Sequence, residues 1–156
     1  MLKKTRLIAA MALAMFATPG LAADQMPDAM TPMGMKASTS LPVTALKFFG
    51  TGVKTDVGEL QAAPAFGDLA HGEHGTFVKM PAGFVSPLHT HTEDYYAVVV
   101  SGVGVNTQPG KADIPLPSGS YWFQAGGEPH VTKCISAVEC IFFLSQPGAF
   151  DYLPSK

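Results

Sequence analysis

Two histidines with one residue between them, His89 and His91, lie in the segment SPLHTHTEDYYAVVVSG. Side chains alternate faces along a β-strand, so residues at i and i+2 would present both imidazoles on one face. Two neighbouring imidazoles are a common way to hold a borderline metal ion. A single His-x-His also fits the polar end of a strand and carries little weight alone. The same alternation would place Glu93 and Tyr95 on one face if the strand stays regular.

Glycines at fixed distances from the histidines strengthen the metal interpretation. Gly83 lies six residues before His89, and Gly102 lies seven residues after Tyr95. This spacing resembles the first motif of the cupin superfamily, G-x5-H-x-H-x(3,4)-E-x6-G, with Tyr95 in the position of the glutamate.

The segment GSYWFQAGGEPHVTKC carries the second half of the resemblance. It is similar to the second cupin motif, G-x5-P-x-G-x2-H-x3-N, through Gly119, Gly127 and His130. Ala125 stands in the place of the proline and Cys134 in that of the asparagine. Both spacings hold without a gap, and the resemblance covers most of the chain after about residue 65. The resemblance is to single-domain, RmlC-like bacterial cupins in which a tyrosine replaces the glutamate of the first motif.

The resemblance implies a jelly-roll barrel, also described as a double-stranded β-helix, with one metal ion inside it. Carried over residue by residue, it implies that His89, His91 and His130 are the metal ligands. Three imidazoles suit iron, zinc, manganese, nickel or copper, so we expect one divalent transition metal of undetermined identity. The family also favours a homodimer.

Tyr95 leaves several roles open. A free phenol titrates near pH 10, so it is neutral at pH 7 unless a metal draws off its proton. Tyr95 could ligate the metal, hydrogen-bond to a ligand, act as a catalytic acid, or only pack in the core. Glu93 has the parity to replace it as a ligand, but a solvated position at the barrel mouth is the simpler expectation.

The rest of the chain predicts the strands that must position these residues. Short β-rich segments alternate with turn sequences such as PAG and QPGK, as in an all-β sandwich or barrel. No segment keeps an amphipathic helical period over three turns. The predicted strands are Ala45–Phe49, Gly75–Met80, Asp94–Ser101, Val103–Thr107, Ser120–Gln124, His130–Cys134 and Cys140–Ser145.

The N-terminus predicts export. A basic MLKKTR precedes the apolar LIAAMALAMFA, which is too short to span a bilayer. Small residues at Gly20 and Ala22 suit a signal peptidase, so residues 1–22 are a predicted signal peptide cut after Ala22 or Ala23. We expect a periplasmic or secreted protein without a membrane segment after cleavage.

Residues 23–42 form a predicted flexible leader, and residues 43–156 form the predicted β-barrel domain. The leader is rich in Pro, Gly, Ser and Thr and lacks an apolar period. Its methionines offer thioethers that suit Cu(I), although composition alone also accounts for them. These methionines are Met26, Met30, Met33 and Met35.

Charge narrows the possible partners. Without Lys3, Lys4 and Arg6, the mature chain has seven lysines, no arginine and twelve acids, a net charge of about −5. Nucleic-acid binding needs a basic face, and recognition of phosphate or carboxylate usually recruits arginine. A small uncharged, weakly polar or cationic ligand is therefore expected, and nucleic acid is not.

Two cysteines and two further histidines complete the candidates. Cys134 and Cys140 flank five residues, ISAVE, and we predict a disulfide across a β-hairpin, because exported proteins meet an oxidising compartment. The alternative is an inward-facing Cys134 thiolate near the metal. His71 and His74, in AHGEHG, are predicted to lie in a flexible surface loop.

Two functional classes remain open at this level. One is a metalloenzyme, such as a dioxygenase, isomerase or lyase, because three protein ligands leave positions for water, dioxygen or a chelating substrate. The other is a non-catalytic module that binds a metal or small ligand. The fold class hosts both.

Overall fold

The structure, a computed structural model, describes residues 38–155. Over this range the chain forms strands and one short 3-10 turn, Val43–Ala45, without any α-helix, which confirms the all-β prediction. The strands are β1 (Phe49–Thr55), β2 (Gly58–Gly67), β3 (His74–Met80), β4 (His89–Thr90), β5 (Tyr95–Ser101), β6 (Val103–Thr107), β7 (Leu116–Pro117), β8 (Tyr121–Gln124), β9 (Val131–Cys134), β10 (Cys140–Gln146) and β11 (Leu153–Pro154).

The strands form three antiparallel sheets. The largest has six strands in the order β1-β2-β3-β10-β5-β8, and a second has the order β7-β6-β9. The third pairs β11 with β4. Strands distant in sequence are neighbours in the large sheet, as in the predicted jelly roll.

The core lies between the two larger sheets. Burial alternates along β5, β8, β9 and β10, because successive side chains of a strand point to opposite faces. The sheets approach closely at Gly104, where an added Cβ would lie 2.7 Å from the ring of Phe142. Buried core residues include Val78, Phe84, Tyr95, Val99, Trp122, Phe142 and Leu144.

Near the start of the domain, one predicted strand is wrong and one observed strand was not predicted. The predicted Ala45–Phe49 strand is mostly a 3-10 turn and extended chain, and β1 begins only at Phe49. Strand β2 escaped prediction because GELQAAPAFG is rich in Gly, Ala and Pro, which have low β-propensity. Pairing with β1 and β3 on its two sides holds it in place, and the register shifts next to Pro64.

The structure pairs Cys134 with Cys140 in a disulfide, as the sequence predicts. The predicted hairpin is wrong, however, because β9 pairs with β6 whereas β10 pairs with β3 and β5. The bond therefore joins two sheets, and the alternative of a free Cys134 thiolate is excluded.

His71 and His74 do not share a surface loop. His71 is exposed in a turn, but His74 opens β3 and is fully buried. The prediction failed for His74 because the strand begins one residue earlier than its apolar pattern shows.

The predicted signal peptide and the four leader methionines lie outside the described residues, so these remain predictions. Among residues 38–155 no helix is long and apolar enough to cross a bilayer.

Candidate metal centre

Backbone pairing brings the two histidine-bearing segments together. His89 and His130 form an antiparallel bridge in which each backbone N–H donates to the other's carbonyl, at 3.1 and 2.9 Å. The pairing continues from Ser86, whose N–H donates to the carbonyl of Thr132, while Ser86 Oγ accepts the N–H of Thr132. Two segments about forty residues apart in sequence therefore place their histidines side by side.

A glycine turn fixes His91 against the second segment. Gly127 has φ +73°, a conformation that favours glycine, and its N–H donates to the carbonyl of His91 at 2.7 Å. At Gly126 an added Cβ would lie 2.4 Å from the carbonyl oxygen of Thr92. Gly126 and Gly127 thus allow close packing of one histidine segment on the other.

The three imidazoles form one buried cluster. His89, His91 and His130 are each at most 4% exposed. One potential ligand atom from each residue lies within 4.8 Å of the others, so the group could hold a metal ion. Their ring centroids are 4.2 to 5.2 Å apart.

Backbone carbonyls fix the protonation of all three rings. The Nδ1 atoms of His89, His91 and His130 lie 2.8, 2.5 and 3.1 Å from the carbonyl oxygens of Pro87, Asp151 and Glu128. A carbonyl can only accept, so each neutral ring must carry its proton on Nδ1. Each Nε2 is left with a lone pair for a ligand, the tautomer that metal-binding histidines usually show.

Burial keeps the cluster neutral. Burial, and then the neighbouring His130, lower the pKa of His89 to about 3. Burial likewise lowers the pKa of His130 to about 4, although the Glu128 carbonyl opposes the shift. Burial also lowers the pKa of His91, against the opposing effect of Asp151. Neutral imidazole is the form that binds metals, so no proton has to be displaced at pH 7.

Tyr95 lies beside this cluster. Its side chain is buried, and its hydroxyl oxygen is 3.4 Å from Nε2 of His130. The indole N–H of Trp122 donates to the same hydroxyl at 3.3 Å, which leaves the phenol proton free for His130 or a ligand. Burial raises the pKa of Tyr95 to about 12, although hydrogen bonding with the Trp122 and Thr132 side chains acts in the opposite direction. The phenol is therefore a neutral donor at pH 7.

Glu93 is not brought to the histidines. Strand β4 ends at Thr90, residues 92–93 bend, and β5 starts at Tyr95. Because of this break, Glu93 and Tyr95 do not point to the same face, as they would in a regular strand. Glu93 is exposed, with its side chain beside Gly148, whereas Tyr95 is buried.

The C-terminal segment contributes residues that the motifs do not contain. Asp151 accepts the His91 Nδ1–H through its carbonyl, and its carboxylate accepts from Thr92 N at 2.9 Å and Thr92 Oγ1 at 2.5 Å. The ring of Tyr152 stacks on His89 with centroids 4.2 Å apart. The ring centroids of Phe150 and His91 are 5.0 Å apart. The local sequence AFDYLP gave no signal, because these contacts arise only when β11 pairs with β4.

The arrangement combines three lone-pair donors, one neutral hydroxyl and apolar walls. Apolar side chains such as Leu60, Val78 and Phe142 border the cluster. The donor set fits a borderline transition metal such as zinc, iron or copper better than calcium or magnesium, which prefer oxygen ligands.

Residues 56–156 match a family described as a domain of unknown function, DUF4437. None of the curated proteins compared has a significantly similar sequence.

Solved structures share the fold at low sequence identity. A predicted oxalate decarboxylase from Thermotoga maritima is 21% identical with a TM-score of 0.59, covering 70% of this chain and 99% of that one. The polyketide cyclase RemF from Streptomyces resistomycificus is 17% identical with a TM-score of 0.63, covering 77% and 87%. An RmlC-like cupin from Ralstonia eutropha is 20% identical with a TM-score of 0.59, covering 76% and 74%. These likenesses establish the jelly-roll fold of the cupins and not an activity, and the match over residues 56–156 shows that the chain belongs to the DUF4437 family.

Proposed function

We propose that this protein is an exported metalloprotein with a mononuclear three-histidine site that acts on a small uncharged molecule. The observation that carries the proposal is the cluster of His89, His91 and His130. The Nδ1–H group of each ring donates a hydrogen bond to a backbone carbonyl, which leaves Nε2 available as a ligand. A divalent iron, zinc, manganese, nickel or copper ion would supply Lewis acidity there. The reaction class is that of a dioxygenase, isomerase or lyase.

The chain's own residues define what could happen beside such an ion. The Tyr95 hydroxyl, with its raised pKa, can donate a hydrogen bond or a proton but is a poor base at pH 7. The apolar walls exclude water and favour a neutral ligand. The names of two structural neighbours, a decarboxylase and a cyclase, agree with chemistry on small molecules.

Elemental analysis tests the metal site. Protein purified from the periplasm without added metal or chelator should contain about one equivalent of a transition metal. A His89→Ala/His130→Ala variant should lose it. His71→Ala is the matched control, because His71 is exposed and outside the cluster. Equal metal content in the wild type and the double variant would refute the site.

A non-catalytic binding role is the second candidate. The observation that favours it is the high pKa of Tyr95, since this neutral phenol offers an acid but no base beside the histidines. Metal-loaded protein should be tested against phenols, diketones, thiols and sugars. Turnover of any of these supports the enzyme, and ligand binding without turnover supports the binding module.

Export is supported by the disulfide between Cys134 and Cys140, because such bonds persist in oxidising compartments. We therefore propose a periplasmic or secreted location, with cleavage after Ala22 or Ala23. Mass spectrometry of the mature N-terminus tests this directly. A chain still starting at Met1 in the cytoplasm would contradict it.

We also propose that the protein is a homodimer and that it binds no nucleic acid. The outer faces of β5 and β8 expose a band of apolar side chains, and β8 is an edge strand of the large sheet within residues 38–155. Single exposed apolar residues are ordinary, but a contiguous group on a sheet edge favours association. The band consists of Tyr96, Val98, Val100, Tyr121 and Phe123.

A further inference from the structure

A second cavity adjoins the histidine site. It has a volume of about 340 Å³ and lies between β1, β2, β3, β10 and the C-terminal segment. This is within the range of small-molecule sites. Its walls are mainly apolar, and several of them also border the histidine site. The shared wall residues are Leu60, Val78, Leu144, Phe150 and Tyr152.

One wall of the cavity contains a buried polar side chain, His74. His74 is fully buried in the wall, with Nδ1 2.8 Å from Thr76 Oγ1, but its Nε2 has no hydrogen-bond partner among the described residues. Gln146 is the register partner of His74 on β10, and its buried side chain raises the pKa of His74 as a neighbouring hydrogen-bonding group, although neither of its polar atoms reaches full hydrogen-bond geometry among the described residues. Leaving such groups unpaired is costly, so their presence calls for a reason beyond packing.

The charges of the lining residues limit which molecules the cavity can bind. Asp151 is the one acidic residue in its lining, and no lysine lines it among the described residues. Burial would raise the pKa of Asp151, but hydrogen bonds from Thr92 lower it overall, so the carboxylate is ionised at pH 7. Burial lowers the pKa of His74 against the opposing effect of Gln146, so that ring is neutral at pH 7. An anion would meet repulsion without a compensating cation.

We propose that this cavity binds a neutral, mainly apolar molecule with one hydroxyl group, such as a phenol, and that the hydroxyl hydrogen-bonds to His74 Nε2. This deepens the proposed function, since it gives the substrate class of the adjoining histidine site. A hydroxyl both donates and accepts, so it suits either tautomer of His74.

Phe150 controls access in this arrangement. Its ring lies edge-on to His74, with centroids 6.5 Å apart, and 5.0 Å from His91. The imidazole of His74 is fully covered, so the proposed contact requires the ring of Phe150 to move aside when the hydroxyl enters. Phe150 lines both the cavity and the histidine site, so it separates the two.

Calorimetric titration with p-cresol, p-toluate and toluene tests the ligand class. Wild-type protein should bind p-cresol at least about tenfold more tightly than toluene, the value of roughly one neutral hydrogen bond, and p-toluate more weakly still. Histidine ¹⁵N spectra should show the His74 signal moving with p-cresol. Equal affinity for p-cresol and toluene, or a preference for p-toluate, would overturn the proposal.

Three variants locate the contact. His74→Leu should lose the preference for p-cresol while its Tm rises, because an unpaired buried polar group has been removed. Thr55→Val removes a buried hydroxyl that also has no partner within residues 38–155, and because Thr55 does not line this cavity, p-cresol affinity should be unchanged. If His74→Leu fails to fold, Ala70→Trp serves instead, because Ala70 is an exposed lining residue and a bulky ring there should block the cavity. Unchanged p-cresol binding in the available variant would overturn the proposal.

One further titration distinguishes a failure of the metal proposal from a failure of the His74 proposal. The titration is repeated on the His89→Ala/His130→Ala variant, which lacks the metal ligands but retains the cavity wall. A p-cresol preference that survives there, in a protein without metal, supports the His74 site alone. Full metal content in wild-type protein without a p-cresol preference refutes the His74 site alone.

Discussion

At the scale of single residues, the tautomers of three histidines decide what the cluster can do. Each Nδ1 faces a backbone carbonyl, so lone-pair donation is built into the fold and does not depend on a metal to organise it. Tyr95 adds a hydroxyl whose proton is free to be donated, since Trp122 supplies the hydrogen bond that its oxygen accepts. Ligand and donor roles are therefore separable by experiment.

Tyr95→Phe should keep the metal and lose the donor function. We expect metal affinity to change by less than about tenfold, whereas loss of a direct histidine ligand should cost much more. Calorimetry at pH 7 in buffers of different ionisation enthalpy counts protons released on metal binding. The imidazoles and a phenol with a pKa of about 12 should release none. One released proton that disappears in Tyr95→Phe would instead identify a phenolate ligand.

The stability of the metal-free protein should fall in acid because of the histidine cluster. Unfolded imidazoles titrate near pH 6.5, whereas the pKa values of His89 and His130 are lowered to about 3 and about 4. The unfolded state thus binds more protons below pH 6.5, so this contribution is complete above that pH and is lost as pH falls towards 3. Each group can add up to about 1.4 kcal/mol per pH unit.

Urea unfolding of metal-free protein from about pH 7.5 to about pH 4.5 measures this effect. A His89→Gln/His130→Gln variant is the control, because the carboxylates that also titrate in acid are unchanged in it. Its free energy of unfolding should depend less steeply on pH. The same slope in both proteins would show that the cluster is not the source.

At the scale of elements, the C-terminal segment from Phe150 to Pro154 completes the site. Pairing of β11 with β4 places Asp151 against His91 and Tyr152 on His89. The disulfide acts at another point, where it joins β9 of one sheet to β10 of the other. Elements distant in sequence therefore hold the histidine-bearing segments.

Asp151→Ala should weaken metal binding by about tenfold, because residues that orient metal ligands typically contribute this much. The variant keeps the carbonyl that accepts from His91 but loses both carboxylate bonds to Thr92, so the segment is less firmly held. Competition with a chelator measures the affinity. Asp113→Ala is the matched control, since Asp113 lies at the surface and pairs with Lys133, 2.6 Å away. Equal losses in both variants would indicate a general charge effect.

At the scale of the whole molecule, the exposed apolar band on β5 and β8 carries the proposal of a homodimer. Val98 and Tyr121 face each other across the two strands, and they are 43% and 64% exposed. Val98→Lys/Tyr121→Lys should give a monomer by light scattering after size exclusion, because two cations would be placed in an apolar contact.

Wild-type protein should elute as a dimer in the same experiment. Lys54→Glu is a suitable control, since Lys54 lies on β1 at the opposite end of the large sheet. A monomeric wild type, or a lysine variant that remains dimeric, would refute this interface.

The sequence by itself determined the class of fold and three members of the cluster. Alternation of apolar residues is a local property, so six of the seven predicted strands appear with ends within one residue of the prediction. The spacing of histidines and glycines is also local, and its resemblance to the two cupin motifs implied His89, His91 and His130 as ligands. Only the fold could bring the two motifs into contact, through the bridge between His89 and His130.

The tertiary structure decided whatever depended on neighbours distant in sequence. Strand β2 has weak local propensity and exists because β1 and β3 pair with it. A bend at residues 92–93 turns Glu93 away from the face predicted for it. His74, predicted in a loop, lies in a strand and is buried. Asp151 and Tyr152 reached the site from the C-terminal segment. The physical reason is the same in each case: burial and hydrogen-bond partners are set by packing between segments, which a one-dimensional pattern does not contain.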